Sequence, residues 1–302
     1  MGNTTLPVLT IIGATSSGKS DVAVDAALRY GGEVISADSR QVYQSLFYTT
    51  GKISKESMQG VPHHMLDVAP VGTQYTVHSF MTAATACIDA VYARGALPIL
   101  VGGTGFYIDA VLFRRPLGGV PPDPAYRAYL EQQDPEVLCA LLQEKDSDAY
   151  CRIDTRNTRR VIRALEILHV RGSMPVDTGE QRFTHRMIGL CHRRDYLRER
   201  IAQRIDDRFD GMVEEVRALL EAGVDPLWLD GLGLECRHIS RMFTASVSKE
   251  DTRTNLLRAT MAYAKRQETW WRRYPATWFY PHEYGDMYRH LDSLYRSGST
   301  RT

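Results

Sequence analysis

The stretch "GATSSGKS", residues 13–20, lies between the apolar run "LPVLTII" and the helix-forming "DVAVDAAL". Gly13, Gly18, Lys19 and Ser20 meet the pattern G-x-x-x-x-G-K-[ST]. In such a loop backbone N–H groups curl around phosphate oxygens, and the N-terminus of the following helix adds a favourable partial charge. Lys19 can reach terminal phosphates and Ser20 can ligate Mg²⁺. The pattern requires a buried strand before it and a helix after it, and this sequence supplies both. The loop therefore commits the chain to a strand–loop–helix step and a phosphate cradle. It does not say whose phosphates are held, or whether a phosphoryl group moves.

The same alternation continues downstream. "GGEVISADS" predicts a second strand ending at Asp38. In "HSFMTAATACIDAVYAR", residues 78–94, Phe80, Ala83, Ala84, Cys87, Ile88 and Val91 share one helical face. Gly95 ends that helix, and "LPILVGGTG" predicts a third buried strand running into another glycine turn. Strands and helices in this order build parallel α/β sheets. After Phe113 the character changes. "RRPLGGVPPDP" predicts a hinge, and helices without a strand are predicted from about 124 to 171. "RMIGLCH", residues 186–192, predicts a strand returning to the core. A long helix then carries the apolar stripe Leu197, Ile201, Ile205, Met212, Val216 and Leu219, and a further helix spans about 252–273. The fold class is α/β, a parallel-sheet core over 1–115 and 186–302 with C-terminal helices, interrupted by a helical insertion over 116–185.

Composition narrows the partners. A net charge of +1 gives no whole-chain signature of nucleic-acid binding, so any such surface must be local. No run of about 18 uncharged apolar residues is present, so no membrane partner is expected, and the N-terminal apolar run reads as a strand, not a leader. Five cysteines lack CxxC spacing, which fits reduced thiols and a cytoplasmic location. His63 and His64 are adjacent without a third ligand in view and read as structural.

Three features point at the chemistry. Where an NTP hydrolase or kinase generally has an acid at a neighbouring strand end, the third strand here ends "VGGTG", with Thr104 and no carboxylate. Asp38 is the well-placed carboxylate. It could hold metal, act as a general base beside the phosphates, or cap a turn. Second, "CRIDTRNTRRVIRALEIL" sets Arg152, Arg156 and Arg160 at i, i+4 spacing with Arg159 and Arg163 beside them, while Ile162, Leu165 and Leu168 can face inward. Five arginines in twelve residues suit nucleic-acid phosphates, with a solvated face as the alternative. Third, "YAKRQETWWRRY" interleaves Lys265, Arg266, Arg272 and Arg273 with Trp270, Trp271 and Tyr274. It can clamp a single-stranded loop or pack as ordinary core. Arg200, Arg204 and Arg208 form a further i, i+4 row that can point along a cleft or pair with nearby acids.

"GATSSGKS", "EVISADSRQVY", "VPHHMLD", "ILVGGTGFYIDAVL", "RVIRALEIL", "RIDDRFDGMVEEV" and "YAKRQETWWRR" occur in an order that resembles the tRNA dimethylallyltransferases (tRNA isopentenyltransferases), over about residues 8–278. The resemblance implies transfer of a dimethylallyl group from dimethylallyl diphosphate to N6 of the adenine directly 3′ of the anticodon. It implies a P-loop NTPase-like core whose helical insertion grips the tRNA anticodon stem-loop. Position by position, it implies that Gly13, Ala14, Thr15, Ser16, Ser17, Gly18, Lys19 and Ser20 hold the diphosphate, with Ser20 placing Mg²⁺. Asp38 matches the base, Thr104 a residue near the bridging oxygen and target base, and Arg208 an arginine associated with the diphosphate. Asp38, Ser39, Arg40, Gln41, Thr104, Arg127, Arg159, Arg160, Val161, Ile162 and Arg163 match positions that contact tRNA. The expected assembly is a monomer.

The sequence departs from the family pattern at several points. Ala14, Ser16 and Ser20 replace the usual proline, alanine and threonine of the loop. "TTGKISKE" stands for the usual "IGTAKP". "GLGLECR", residues 231–237, stands where "GYK" or "GYR" is usual, so Leu234 replaces a tyrosine. With no Cys/His finger after residue 280, the bacterial type is expected.

Overall fold

The computed structural model describes residues 7–113, 117, 119–121, 123–176 and 180–295. It divides into two compact units, Phe113–Gln181 and the remainder of the chain. The predicted boundary at 115–116 and part of the "RRPLGGVPPDP" hinge lie outside the described residues.

The larger unit is built on β1 (Val8–Gly13), buried along its whole length. It is followed by α1 (Lys19–Tyr30), β2 (Gly32–Ser36), β3 (His63–His64), α2 (Val77–Ala93), β4 (Leu97–Val101) and α3 (Gly105–Leu112). The sheet order is β3-β2-β4-β1-β5-β6, where β5 (His185–Leu190) and β6 (Thr277–Phe279) come from after the interruption. Every pairing is parallel, with Leu9 opposite Ile99 and Ile11 opposite both Val101 and Ile188. Near-continuous burial is what a parallel sheet covered on both faces demands, and it explains the uninterrupted "VLTII" and "LPILV" runs. Leu9, Ile11, Val34 and Ile99 join Val22, Ala23 and Ala26 of α1 in one core cluster.

Two strands are not legible in the sequence. β3 is a two-residue edge and β6 a three-residue one, both too short for periodicity to register. His64 Nε2 meets Glu33 Oε2 at 2.6 Å, and Arg94 grips Glu33 through both oxygens. The adjacent histidines therefore serve the sheet edge.

The predicted second strand also stops early. It ends at Ser36, and Asp38 lies in a turn because its Oδ1 accepts the Arg40 N–H at 2.8 Å. Such Asx closure competes with strand extension.

In the smaller unit α4 (Pro124–Glu131), α5 (Pro135–Lys145), α6 (Ser147–Arg152) and α7 (Thr158–Arg171) pack around Leu130, Leu138, Leu142, Val161, Leu165 and Leu168. The predicted i, i+4 row Arg152–Arg156–Arg160 does not form. The chain leaves the helix at Ile153, and Asn157 caps α7 by accepting from Arg160 N. Asp154 draws Arg156 back on itself at 3.0 Å.

The larger unit is completed by α8 (Arg194–Glu221), α9 (Pro226–Leu232), α10 (Leu234–Thr244), α11 (Lys249–Trp271) and α12 (Tyr284–Tyr295). The predicted stripe of α8 is buried in full, with Phe209 and Val213 added to it. Among the described residues no helix is long and apolar enough to cross a membrane.

Candidate functional site

The carboxyl ends of β2, β4 and β1 are neighbours in the sheet, and ligands of open α/β sheets bind outside such ends. β1 delivers the loop 13–20, β2 delivers Asp38 to Gln41, and β4 delivers Gly102 to Thr104. Ala37 N donates to Val101 O at 2.7 Å and Thr104 N to Ala37 O at 3.3 Å. Gly102 is required here, since a Cβ would lie 2.2 Å from Ala37 O. These segments open onto one cleft of about 980 Å³.

α8 supplies the opposite, cationic wall. Arg200 Nε donates to Ser16 O at 2.9 Å and Arg204 Nη1 to Thr15 Oγ1 at 3.1 Å. His192 Nε2 lies 2.9 Å from Ser17 O. Arg208 Nη1 is buried and has no hydrogen-bond partner among the described residues. Burial and then the Arg204 charge draw Arg208 below the ordinary guanidinium range. The same two causes, opposed by Asp38, pull the Lys19 amine down to about 7. Cations that depress one another in this way gain most from an arriving polyanion. Gly51 (φ 62°) makes room for them, because a Cβ there would sit 1.8 Å from Arg204 Nη2.

The acid–base side is equally fixed. Thr104 Oγ1 accepts from Ser39 N at 3.2 Å, next to the Asp38 turn. Gln267, buried on α11, accepts from Thr15 N at 2.8 Å and donates to Gly103 O at 2.9 Å. It ties the phosphate loop to the "VGGTG" turn. Tyr263 lines the same cleft, and burial pushes its phenol up to about 12. Cations, the Asp38 carboxylate and the Thr104 hydroxyl thus converge, with no acid at the end of β4.

The sequence profile of the IPP transferase family matches residues 41–274. A tRNA dimethylallyltransferase 2 from Citrifermentans bemidjiense is 40% identical over 88% of this chain and 86% of its own. The chain belongs to the IPP transferase family. A tRNA dimethylallyltransferase from Geobacillus thermodenitrificans is 37% identical, with 90% of each chain covered. The crystal structure of a tRNA isopentenylpyrophosphate transferase from Bacillus halodurans superposes with a TM-score of 0.73 at 34% identity, covering 97% of this chain and 98% of that one.

In this IPP transferase the loop residues Thr15 to Ser20, together with Asp38, Ser39, Arg40, Gln41 and Arg208, all line the one cleft. Thr104 joins them through Ser39, while Gly13 and Ala14 are buried beneath the loop. The Gln41 side chain is engaged structurally, accepting from Ser36 Oγ and reaching the Thr50 and Gly51 carbonyls. In the smaller unit Arg159 and Arg160 are exposed. Val161 and Ile162 are buried in that unit's core, so their side chains pack and do not reach a partner. Arg127 and Arg163 both close on Glu166, whose side chain is 1% exposed, at 2.7 and 3.2 Å.

Several contributors are absent from the site that the sequence predicts. Gln267 lies within "YAKRQETWW", where the basic and aromatic neighbours suggest stacking and hide the amide. Trp271 of that stretch is fully buried, and Arg273 covers Trp270 at 3.8 Å. Glu215 accepts from the amides of Phe47, Tyr48 (3.0 Å) and Thr49 (2.8 Å). Together with buried Lys52, which pairs with Asp67, it anchors the divergent 49–56 segment. No local spacing rule connects residues this far apart in sequence.

Proposed function

We propose that this chain transfers a dimethylallyl group from dimethylallyl diphosphate to N6 of the adenine directly 3′ of the anticodon, in tRNAs reading codons that begin with U. The observation that carries this reading is the pairing of Lys19, Arg204 and Arg208 around the phosphate loop with Asp38 and Thr104 on the facing strand ends, where β4 runs into Gly102, Gly103 and Thr104 and not into the acid that phosphoryl transfer generally uses.

The exocyclic amine is a weak nucleophile, because its lone pair is delocalised into the ring, so stabilising the leaving diphosphate matters most. A C–N bond forms as the C–O bond to diphosphate breaks, and the electron pair leaves with the diphosphate oxygen. Asp38, held through Oδ1 by Arg40 N, takes the amine proton on Oδ2. Thr104, fixed by Ser39 N, donates its hydroxyl near the bridging oxygen. Lys19, Arg204 and Arg208 neutralise the departing charge, and the loop amides cradle it. The adenine must leave its stack to enter.

Mg²⁺ fits this donor set. Ser20 offers a hard hydroxyl oxygen at the exposed start of α1. Among the described residues no cluster of three His, Cys, Asp or Glu gathers, which suits an ion that keeps waters and takes diphosphate oxygens. When bound, it supplies charge to the leaving group.

In this reading the helical unit grips the anticodon stem-loop, with the exposed Arg159 and Arg160 meeting phosphates, and the enzyme works as a cytoplasmic monomer. The test is incubation with dimethylallyl diphosphate and either tRNA or AMP. Prenyladenosine should appear in tRNA. Product only in AMP, or ATP consumption without prenyl product, would overturn the assignment.

A further inference from the structure

Glu235, in the first turn of α10, lines both the main cleft and the narrow recess behind it that is shared with Thr15, Ser16 and Arg204. Its surroundings are held in place. A Cβ on Gly233 would lie 3.3 Å from Arg40 Nε, so the start of α10 rests on that side chain. The charged and titratable groups that line the cleft with Glu235 include Arg204 and Arg208 from α8, Asp38 and Arg40 from the segment after β2, and the Tyr263 phenol from α11. Cys236 is its neighbour on α10.

An acid among cations that must receive a polyanion has two different jobs in the free and bound states. Without the anion it offsets the mutual repulsion of Arg204 and Arg208. With the anion present it becomes a like charge, beside a second carboxylate, Asp38, and its ionised form is disfavoured. We propose that Glu235 is a positioning residue for the anion site, balancing Arg204 and Arg208 when ionised and taking up one solvent proton when diphosphate binds. Burial raises its carboxyl pKa in the same direction. The proposal rests on the reading that this cleft holds diphosphate.

The experiment is titration calorimetry of the full chain with inorganic pyrophosphate, for wild type and Glu235→Gln, in buffers of differing ionisation enthalpy from about pH 5 to about pH 8. Protonation of pyrophosphate and of Lys19 is common to both proteins and cancels in the difference. Wild type should take up as much as one proton more than the variant. The variant should bind about tenfold more tightly at the alkaline end, the factor that one pKa unit carries, with the gap closing toward acid. Steady-state kinetics should show the same gap in KM for dimethylallyl diphosphate and little change in kcat. If Glu235→Gln fails to fold, Glu235→Ala, which also removes the titrating carboxyl, should show the same loss of proton uptake. Equal proton counts and parallel pH profiles in wild type and variant would overturn the role of Glu235. Failure of wild type to bind pyrophosphate at all would overturn the diphosphate reading itself, and this proposal with it.

Discussion

Gln267 accepts a hydrogen bond from Thr15 N at 2.8 Å and donates one to Gly103 O at 2.9 Å, so one buried amide joins the phosphate loop to the turn that carries Thr104. Gly103 has no room for anything else, since a Cβ there would lie 2.1 Å from Gln267 Nε2. Gln267→Leu keeps the bulk and removes both bonds, stranding a donor and an acceptor. The expected loss of stability is about 1–3 kcal/mol. A fall of about tenfold or more in kcat/KM for dimethylallyl diphosphate should accompany it, because misplacing reacting groups is costly. Chemical denaturation and steady-state kinetics on one preparation check both.

In the proposed reaction Asp38 is the base, and its turn offers a clean separation of roles. Asp38→Asn retains an oxygen to accept from Arg40 N, so the turn survives while the proton acceptor is lost. Turnover should fall by about 10²–10⁴-fold, with the Kd for tRNA nearly unchanged. An equal loss in Kd would make Asp38 a binding residue.

The arginines of the helical unit divide by burial of their partners. Arg127 and Arg163 hold the buried Glu166, and Arg127→Ala leaves that carboxylate under-compensated. Breaking such a pair costs on the order of 3 kcal/mol, visible as a lowered Tm. Arg159→Ala with Arg160→Ala touches exposed side chains only, so Tm should hold. tRNA affinity should fall, and its logarithmic salt slope should flatten by about one for each phosphate that is no longer neutralised. An unchanged slope would remove these two residues from the tRNA surface.

The contrast between Arg159 and Arg163 shows where sequence reading reaches its limit. Loop 13–20, the strands leading to Asp38 and Thr104, and the stripe of α8 are legible because each is a local pattern whose physics is complete within a few turns of chain. Arg163 lies four positions from Arg159 on the same helix, yet its role is set by Glu166 and by the carbonyl of Val120. Gln267 and Glu215 are silent for the same reason, since their partners are 252 and 166 residues away. The broken arginine row has a different cause. Spacing alone predicts a continuous helix, while Asp154 and Asn157, both strong turn and cap formers, decide otherwise.

Glu33 gives a prediction for folding that leaves the cleft untouched. It is nearly buried at the sheet edge, where the Arg94 hydrogen bonds first, and then that of His64, bring its carboxyl down to about 2 from an ordinary 4.5. A carboxyl depressed in the folded state is linked to stability that is fully present above the unfolded pKa and is lost as pH falls through the folded one. Glu33→Gln keeps the shape and removes the charge, so its Tm should lie below wild type at neutral pH. The gap should hold down to about pH 4.5 and close as pH approaches about 2. Thermal melts of both proteins across that window test it, and a gap independent of pH would show that packing, and not the Glu33–Arg94 charge pair, holds the edge strand.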